Sequence, residues 1–368
     1  MKDFIGIINL DEKEDRIREI TRNRQLASVP MAGRYRIIDF ILSNMTNSGI
    51  SNIGIFTRNN SRSLVDHLNS GRPWDLNREK EGLRIFNFSH ENPVYDDVHI
   101  FASNMEFFKL SKQEYVLMAP SYMICNINYD EAMNYHVESG ADITIIYKKV
   151  NNADKNFINC NTLDISEDNK VVGIGENIGS QKEANISMEM ILLKKDLFVD
   201  LVYDCIKTGA YRKVRTAIAA RVKQLDVRAF EFTGNLSCIS SMKAYFDANM
   251  ELLSPKVNNE LFMDNGPIYT KSKNEAPTKY TKDSDVTNSI IANGCYIEGT
   301  VENSIISRRV KISKGAVVRD CIILQNVEIG PKAVLDNVII DKNVVIEKGE
   351  EIKGSKKFPL TIEKERIF

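Results

Sequence analysis

Val310–Ile323 reads VKISKGAVVRDCII, and Val327–Ile340 reads VEIGPKAVLDNVII. The second follows the first at a constant offset, with Val310 over Val327, Ile312 over Ile329, Ala316 over Ala333 and Ile323 over Ile340. One step further come Val344 and Ile346; one step back, Val301 and Ile306 lie under Val318 and Ile323. Aliphatic residues thus recur at Ile312, Val318, Ile323, Ile329, Leu335, Ile340 and Ile346, at gaps of five or six. A fixed return of this length means one structural unit stacked on itself. Three short steps per coil describe a triangular parallel β-solenoid whose aliphatic side chains stack inward, coil on coil. Gly315, Gly330 and Asp341 fall near its corners, where turn-forming residues are needed. Period-2 alternation alone also suits a sandwich, but a sandwich has no reason to repeat at the interval from Val310 to Val327.

Upstream the pattern changes. Phe4–Asn9 (FIGIIN) is an unbroken apolar run of buried-strand type. From Arg36 to Asn47 the apolar residues Ile37, Ile38, Ile41, Leu42 and Met45 have helical spacing, and Gly49 closes that helix. Ile53–Thr57 reads as a strand, Tyr115–Cys125 as another apolar stretch, Asp130–Gly140 as a helix and Ile143–Tyr147 as the next strand. Strands alternating with helices predict an α/β domain, a mostly parallel sheet with helices on both faces. Ligands bind such sheets beyond the carboxyl ends of the strands, which directs attention to the loops after Asn9, after Thr57 and around Pro120–Cys125. The expected division is an α/β domain over 1–252, a connection over 253–285 and the solenoid over 286–368.

Composition narrows the classes. Among 368 residues, 49 Lys and Arg nearly balance 50 Asp and Glu, so no global basic field points to nucleic acid. The six cysteines are scattered without a CxxC pair, as expected for reduced cytosolic thiols rather than zinc ligands or disulfides. No secretory leader is expected from Met1-Lys2-Asp3-Phe4, and no apolar run has membrane-spanning length. A cytoplasmic protein that binds neither membrane nor nucleic acid is expected.

Pro30–Phe40 (PMAGRYRIIDF), followed by Leu42-Ser43-Asn44 and Asn47-Ser48-Gly49-Ile50, resembles the ADP-glucose pyrophosphorylase (glucose-1-phosphate adenylyltransferase) family. The likeness continues through Ser63-Leu64, His67, Trp74-Asp75-Leu76, Glu114-Tyr115-Val116-Leu117, Ser187-Met188 and Ala244-Tyr245-Phe246-Asp247-Ala248-Asn249. It implies a Rossmann-like nucleotidyltransferase domain followed by a left-handed β-helix of hexapeptide repeats. It also implies ATP, glucose-1-phosphate and magnesium chemistry, which needs a glycine-rich phosphate loop, basic side chains and metal-holding carboxylates.

Those parts are missing at the matching positions. The family's GGxGxR loop aligns with Asp11, Glu12, Lys13, Glu14, Asp15 and Arg16, of which only Arg16 is retained. Glycines there let backbone N–H groups reach phosphate; a carboxylate about 4 Å from a phosphate charge instead costs roughly 4 kcal/mol at an intermediate dielectric. The family's basic KPAVP residue aligns with Leu26, its GTADA segment with Asp96–Ile100, its two metal aspartates with Tyr122 and Cys238, and its sugar-phosphate lysine with Asn177. Glu176 and Ser187 are retained, and with Arg16 they are read as a vestigial substrate site.

Within the family this pattern looks like the GlgD-type regulatory subunit, which implies no catalytic residues, no metal or cofactor in this chain, and a hetero-tetramer with an active subunit that holds the magnesium. The alternative is an active nucleotidyltransferase making ADP-glucose with altered substrate or metal use; a third reading is a sensor or scaffold outside glycogen synthesis. The family's sugar-phosphate activators bind near the matching arginine-rich segment, making Arg22, Arg24, Arg34 and Arg36, with Lys342 opposing, candidates for an effector phosphate; ion pairs or solvation are the structural reading of each. His67, His99 and Trp74 are read as packing residues, and the Asp11–Asp15 carboxylates as a solvated acidic loop or helix start rather than a divalent-cation site.

Overall fold

The structure is a computed structural model describing residues 3–58, 60–78, 81–88, 96–365 and 367; Met1 and Lys2 of the N-terminal reading lie outside these. The chain forms two compact units interleaved in sequence: Met1–Glu12, Phe40–Leu236 and Asn265–Tyr269 in one, Lys13–Asp39, Ser237–Asp264 and Thr270–Phe368 in the other.

The first unit is built on a nine-stranded sheet. Phe4–Asn9 sits centrally, parallel to Asn52–Arg58 on one side and to Tyr115–Ala119 on the other, with Gly82–Phe88 parallel beyond Asn52–Arg58. All six residues of the first strand are buried, because a central strand covered on both faces has no solvent side. Ala184–Lys194 runs antiparallel to Tyr115–Ala119 and to Ile143–Val150, which pairs in parallel with Val227–Glu231. Its register with Ile143–Val150 shifts between Ser187 and Met190, a bulge. The expected helices appear as Ile37–Asn47 and Asp130–Ser139, and Gly140 takes the left-handed cap position. Phe56, Phe101, Phe107, Phe108 and Phe198 anchor the apolar layer on one face.

In the second unit the solenoid has three faces, each a parallel sheet of five short strands. Inward rows run Ile297–Ile312–Ile329–Ile346, Val301–Val318–Leu335 and Ile306–Ile323–Ile340–Ile362, the ladder predicted from the fixed return. At one corner Asn288, Asn303, Asp320 and Asn337 repeat a left-handed backbone, and the Asn288 amide donates to Asn303 Oδ1 at 2.7 Å. Asparagine and aspartate tolerate that conformation better than other residues with a Cβ. Gly315 (φ +74°) turns another corner, and a Cβ on Gly330 would meet backbone of the next coil at 2.8 Å.

The solenoid begins earlier than residue 286, with Lys279–Tyr280 and Asp285–Thr287, and the expected connection contains the helix Pro255–Phe262. One outward row, Ile305, Ile322 and Ile339, is also fully buried. The Ala32–Gly33 turn rests on that face: a Cβ on Gly33 would lie 3.3 Å from the Ile306 carbonyl. The Tyr245 hydroxyl donates to the Pro30 carbonyl (2.7 Å), and Asn249 Oδ1 accepts from the Ala32 N–H (3.0 Å). The matched AYFDAN and PMAGRYR segments therefore fasten each other within this unit.

Candidate functional site

In the first unit the loops beyond the strand ends converge as the α/β rule requires, and the chain's own carboxylates fill the convergence. Glu12, three residues past the first strand, accepts from the Ser121 N–H (2.6 Å) and the Ser121 hydroxyl (2.9 Å) at the end of Tyr115–Ala119. Asp11 pairs with Lys213 (2.7 Å) and with Arg58 (3.4 Å), the last residue of the second parallel strand. Backbone N–H and cationic side chains at such a crevice are what a phosphate uses; here carboxylates take them.

Deeper in, Asp97 accepts from the Asn9 amide (3.2 Å) and the Val214 N–H (3.1 Å). Burial pushes its carboxyl up to about 7, against the opposing pull of the Arg215 guanidinium. The folded group holds a proton to about pH 7, whereas an unfolded one loses it near its ordinary 3.8. The stability it contributes is complete below about pH 4 and is lost as pH rises to 7. Asp97→Asn is expected to exceed the wild type in stability at pH 8, by about 2–4 kcal/mol, and to match it near pH 4. Urea unfolding at the two pH values reads this difference, and equal gains at both contradict it.

The sugar-side positions are also self-satisfied. Glu189 lies in the bulge of Ala184–Lys194 with φ +55°, where a non-glycine residue is strained by about 1–2 kcal/mol. Its carboxylate is paired with Arg215 and accepts from the Tyr122 hydroxyl (2.6 Å) and the Asn161 amide (3.1 Å). Retained Ser187 is buried and accepts the Glu189 N–H at 3.1 Å. Asn177, aligned with the family's lysine, donates to the carbonyls of Ala153, Asn156 and Phe157 and accepts from the Gly179 N–H, tying a loop together. Glu176 is exposed. His67 is buried edge-on against buried Trp74, and His99 pairs with Asp96 at 2.8 Å.

In the second unit Glu14 accepts from the Leu26 N–H at 2.6 Å, and burial raises its carboxyl above the ordinary value. Arg16 is exposed, and its carbonyl accepts from the Met242 N–H at 3.0 Å. Hard divalent cations prefer carboxylate and carbonyl oxygens. The buried Cys238 thiol, and in the first unit the Tyr122 phenol turned to Glu189, do not fit a magnesium ligand set. No group of three or more His, Cys, Asp or Glu side chains is placed to hold a metal among the described residues.

The effector candidates separate in the second unit. Arg24 and Asp341 are 4% and 3% exposed and joined through both carboxylate oxygens, at 2.7 and 2.5 Å. Arg24 Nη1 is buried without a hydrogen-bond partner. Lys342 adjoins this pair, and burial, then repulsion from Arg24 and Arg36, lowers its ammonium to about 7. The buried Arg308 guanidinium is lowered by burial and then by Arg34. Arg34 also lies over the Tyr35 ring, while exposed Arg22 pairs with Glu363 at 2.7 Å. Arg24, Arg36 and Lys342 thus share one field, and Arg22 is occupied elsewhere. Asp341, Arg308, Asp97 and Glu189 are site residues to which the sequence assigned no such role. The acidic substitution at position 12 was visible; its hydrogen-bond partner was not.

Residues 13–177 match the family model "Nucleotidyl transferase", and residues 275–357 match "GlmU-like, C-terminal hexapeptide". The chain is similar to the glycogen biosynthesis protein GlgD of Bacillus subtilis (strain 168), 34% identical over 98% of this chain and 96% of that one. It is 40% identical to GlgD of Geobacillus stearothermophilus, over 86% of this chain and 82% of the other. Similarity extends to the glucose-1-phosphate adenylyltransferase of Fervidobacterium nodosum, at 30% identity over 96% and 86% of the two chains. No helix among the described residues is long and apolar enough to cross a membrane. With a nucleotidyltransferase sheet, a left-handed β-helix and end-to-end similarity to these proteins, the chain belongs to the glucose-1-phosphate adenylyltransferase family, alongside the GlgD glycogen biosynthesis proteins.

Proposed function

We propose that this chain is a regulatory subunit of a bacterial glucose-1-phosphate adenylyltransferase in glycogen synthesis. It does not itself transfer the adenylyl group and modulates a catalytic partner in a cytoplasmic hetero-tetramer. The observation that carries this reading is the Glu12 carboxylate seated on the Ser121 N–H and hydroxyl. A triphosphate entering there must displace a charge-assisted pair and then face Asp11 and Glu12, a repulsion of several kcal/mol at about 4 Å. Magnesium belongs in this reading to the partner only, since Tyr122 and Cys238 offer a phenol and a thiol. Assay of ADP-glucose formation tests it: the chain alone is expected to be inactive, and to change the turnover or effector response of an intact glucose-1-phosphate adenylyltransferase when co-assembled. Robust turnover by the lone chain rejects the reading.

Arg24, Arg36 and Lys342 are read here as the seat of an anionic effector, because their mutual repulsion in one field is what an anion would relieve. An anion favours the charged ammonium, so affinity falls as pH rises above about 7. Sulfate, which does not titrate in this range, is expected to bind roughly tenfold more weakly at pH 8.5 than at pH 6.5, an order-of-magnitude effect of one linked proton. Lys342→Gln should flatten that dependence; an unchanged profile places the anion elsewhere.

A further inference from the structure

The chain carries two Asn-Gly pairs, Asn265-Gly266 and Asn293-Gly294. Asparagine before glycine is chemically labile, because no Cβ hinders the glycine nitrogen as it approaches the asparagine side-chain carbon. The structure treats the two pairs differently. At the second, a turn of the solenoid, the Gly294 N–H donates to the Ala276 carbonyl at 2.7 Å, and the Asn293 carbonyl accepts from the Arg309 N–H at 3.3 Å. The nitrogen that must attack is tied down there. At the first pair Asn265 is exposed, and the Gly266 N–H donates to no group among the described residues. Gly266 has a left-handed backbone (φ +102°), and a Cβ there would lie 2.7 Å from Asn47 Nδ2.

Asn265–Tyr269 is a short strap that belongs to the first unit, while the residues on either side of it belong to the second. Lying outside the strands and helices, it is held by side chains. Asn265 Nδ2 donates to the Asn126 carbonyl (2.8 Å), and Asn126 Nδ2 donates to the Gly266 carbonyl (3.1 Å). Asn47 Nδ2 donates to the Pro267 carbonyl (3.1 Å), and the Tyr269 N–H donates to Ser43 Oγ (2.8 Å).

We propose that Asn265 is a site of spontaneous deamidation, and that the product loosens the strap Asn265–Tyr269. The Gly266 nitrogen gives its proton to hydroxide and bonds to Asn265 Cγ. The Cγ–Nδ2 bond then breaks, and ammonia leaves with a proton from water. One water opens the resulting succinimide at either carbonyl, giving an aspartyl or an isoaspartyl linkage. Water is the only co-reactant, and nothing is oxidised or reduced. An ionised carboxylate accepts hydrogen bonds but cannot donate them. The Asn126 carbonyl therefore loses its donor and faces a negative charge instead. The isoaspartyl form also adds a methylene to the main chain, which displaces the Gly266 carbonyl from Asn126 Nδ2. Asn126 is buried and its Oδ1 already lacks a partner, so the lost bonds leave further polar groups unsatisfied. This goes beyond the subunit assignment and stands without it, because every contact involved lies within the first unit.

Full-length wild type aged in mildly alkaline buffer tests this, by peptide mapping with mass spectrometry and by hydrogen exchange. In the native protein the Asn265 peptide is expected to convert to the acid roughly tenfold faster than the Asn293 peptide, the order of one hydrogen bond held on the attacking nitrogen. In urea the two should convert at similar rates, because only the local sequence then acts. Asn265→Gln should remain unconverted at that position. Asn265→Asp should speed exchange of the Tyr269 amide by about tenfold, as local opening becomes easier. Native protein in which Asn265 persists, or in which both pairs convert equally, overturns the site. A folded Asn265→Asp protein whose Tyr269 amide exchanges as in fresh wild type overturns the loosening. If Asn265→Asp does not fold, the same comparison is made on the converted fraction of aged wild type, separated by ion exchange. None of these readouts involves ADP-glucose formation, so this inference and the subunit assignment fail separately.

Discussion

Asp341→Ala is expected to cost about 3–5 kcal/mol, the penalty for stranding one member of a buried ion pair. Asp341 accepts twice from Arg24, and its Oδ1 also takes the Lys342 N–H at 2.7 Å. Removing the carboxylate leaves the Arg24 guanidinium buried beside Lys342 and Arg36 with its nearest counter-charge gone. The expected fall in melting temperature is roughly 4–6 °C for a chain of this size. Replacing both partners with methionine should return most of the loss, because the cost lies in the uncompensated charge rather than in the missing contact. Added sulfate should also raise the melting temperature of Asp341→Ala more than that of the wild type, since an anion can take the vacated charge position. A loss below about 1 kcal/mol, typical of a solvated surface pair, contradicts the burial assigned to this pair.

Ile323→Ala is the second large effect, about 3–5 kcal/mol, at the upper end for a buried isoleucine truncation. Ile323 is fully buried, registered between Ile306 and Ile340 on one inward row of the solenoid. Its strand, Ile322–Ile323, has two residues and is hydrogen-bonded into coils on both sides, so the backbone cannot close over the lost volume. A central coil also couples its neighbours, as stability in a stacked repeat is largely a sum of nearest-neighbour interfaces. The same change at Ile362, in the terminal coil, should cost less. Urea unfolding of the two variants compares them directly, and equal losses contradict a stacked, neighbour-coupled core.

The solenoid was legible because its signal is a repeat: Ile312, Ile329 and Ile346 stand one coil apart at equal spacing, and each strand's partner is the next copy. Its first coil was not, since Lys279 is polar and exposed Tyr280, in register with inward Ile297, breaks the aliphatic row. The strand Phe4–Asn9 and the helix Ile37–Asn47 were readable from local periodicity. The interleaving of the units was hidden, because it rests on pairs such as Ala32 with Asn249, 217 residues apart. At the site, the losses at Asp11, Glu12, Tyr122 and Asn177 were visible residue by residue. The replacement network was not. Glu189 looks like an ordinary strand residue until the bulge gives it a left-handed backbone, and Asp97 looks like a helix-start acid until burial changes its titration.

Carboxylates from this chain occupy backbone N–H and cationic groups at the strand ends, where a nucleoside triphosphate would need them. Isothermal titration of ATP with magnesium into the purified chain tests it most directly. No saturable heat is expected at millimolar nucleotide, with the Glu12–Ser121 contact left in place; a saturating isotherm at one ATP per chain, lost on removal of magnesium, would contradict it.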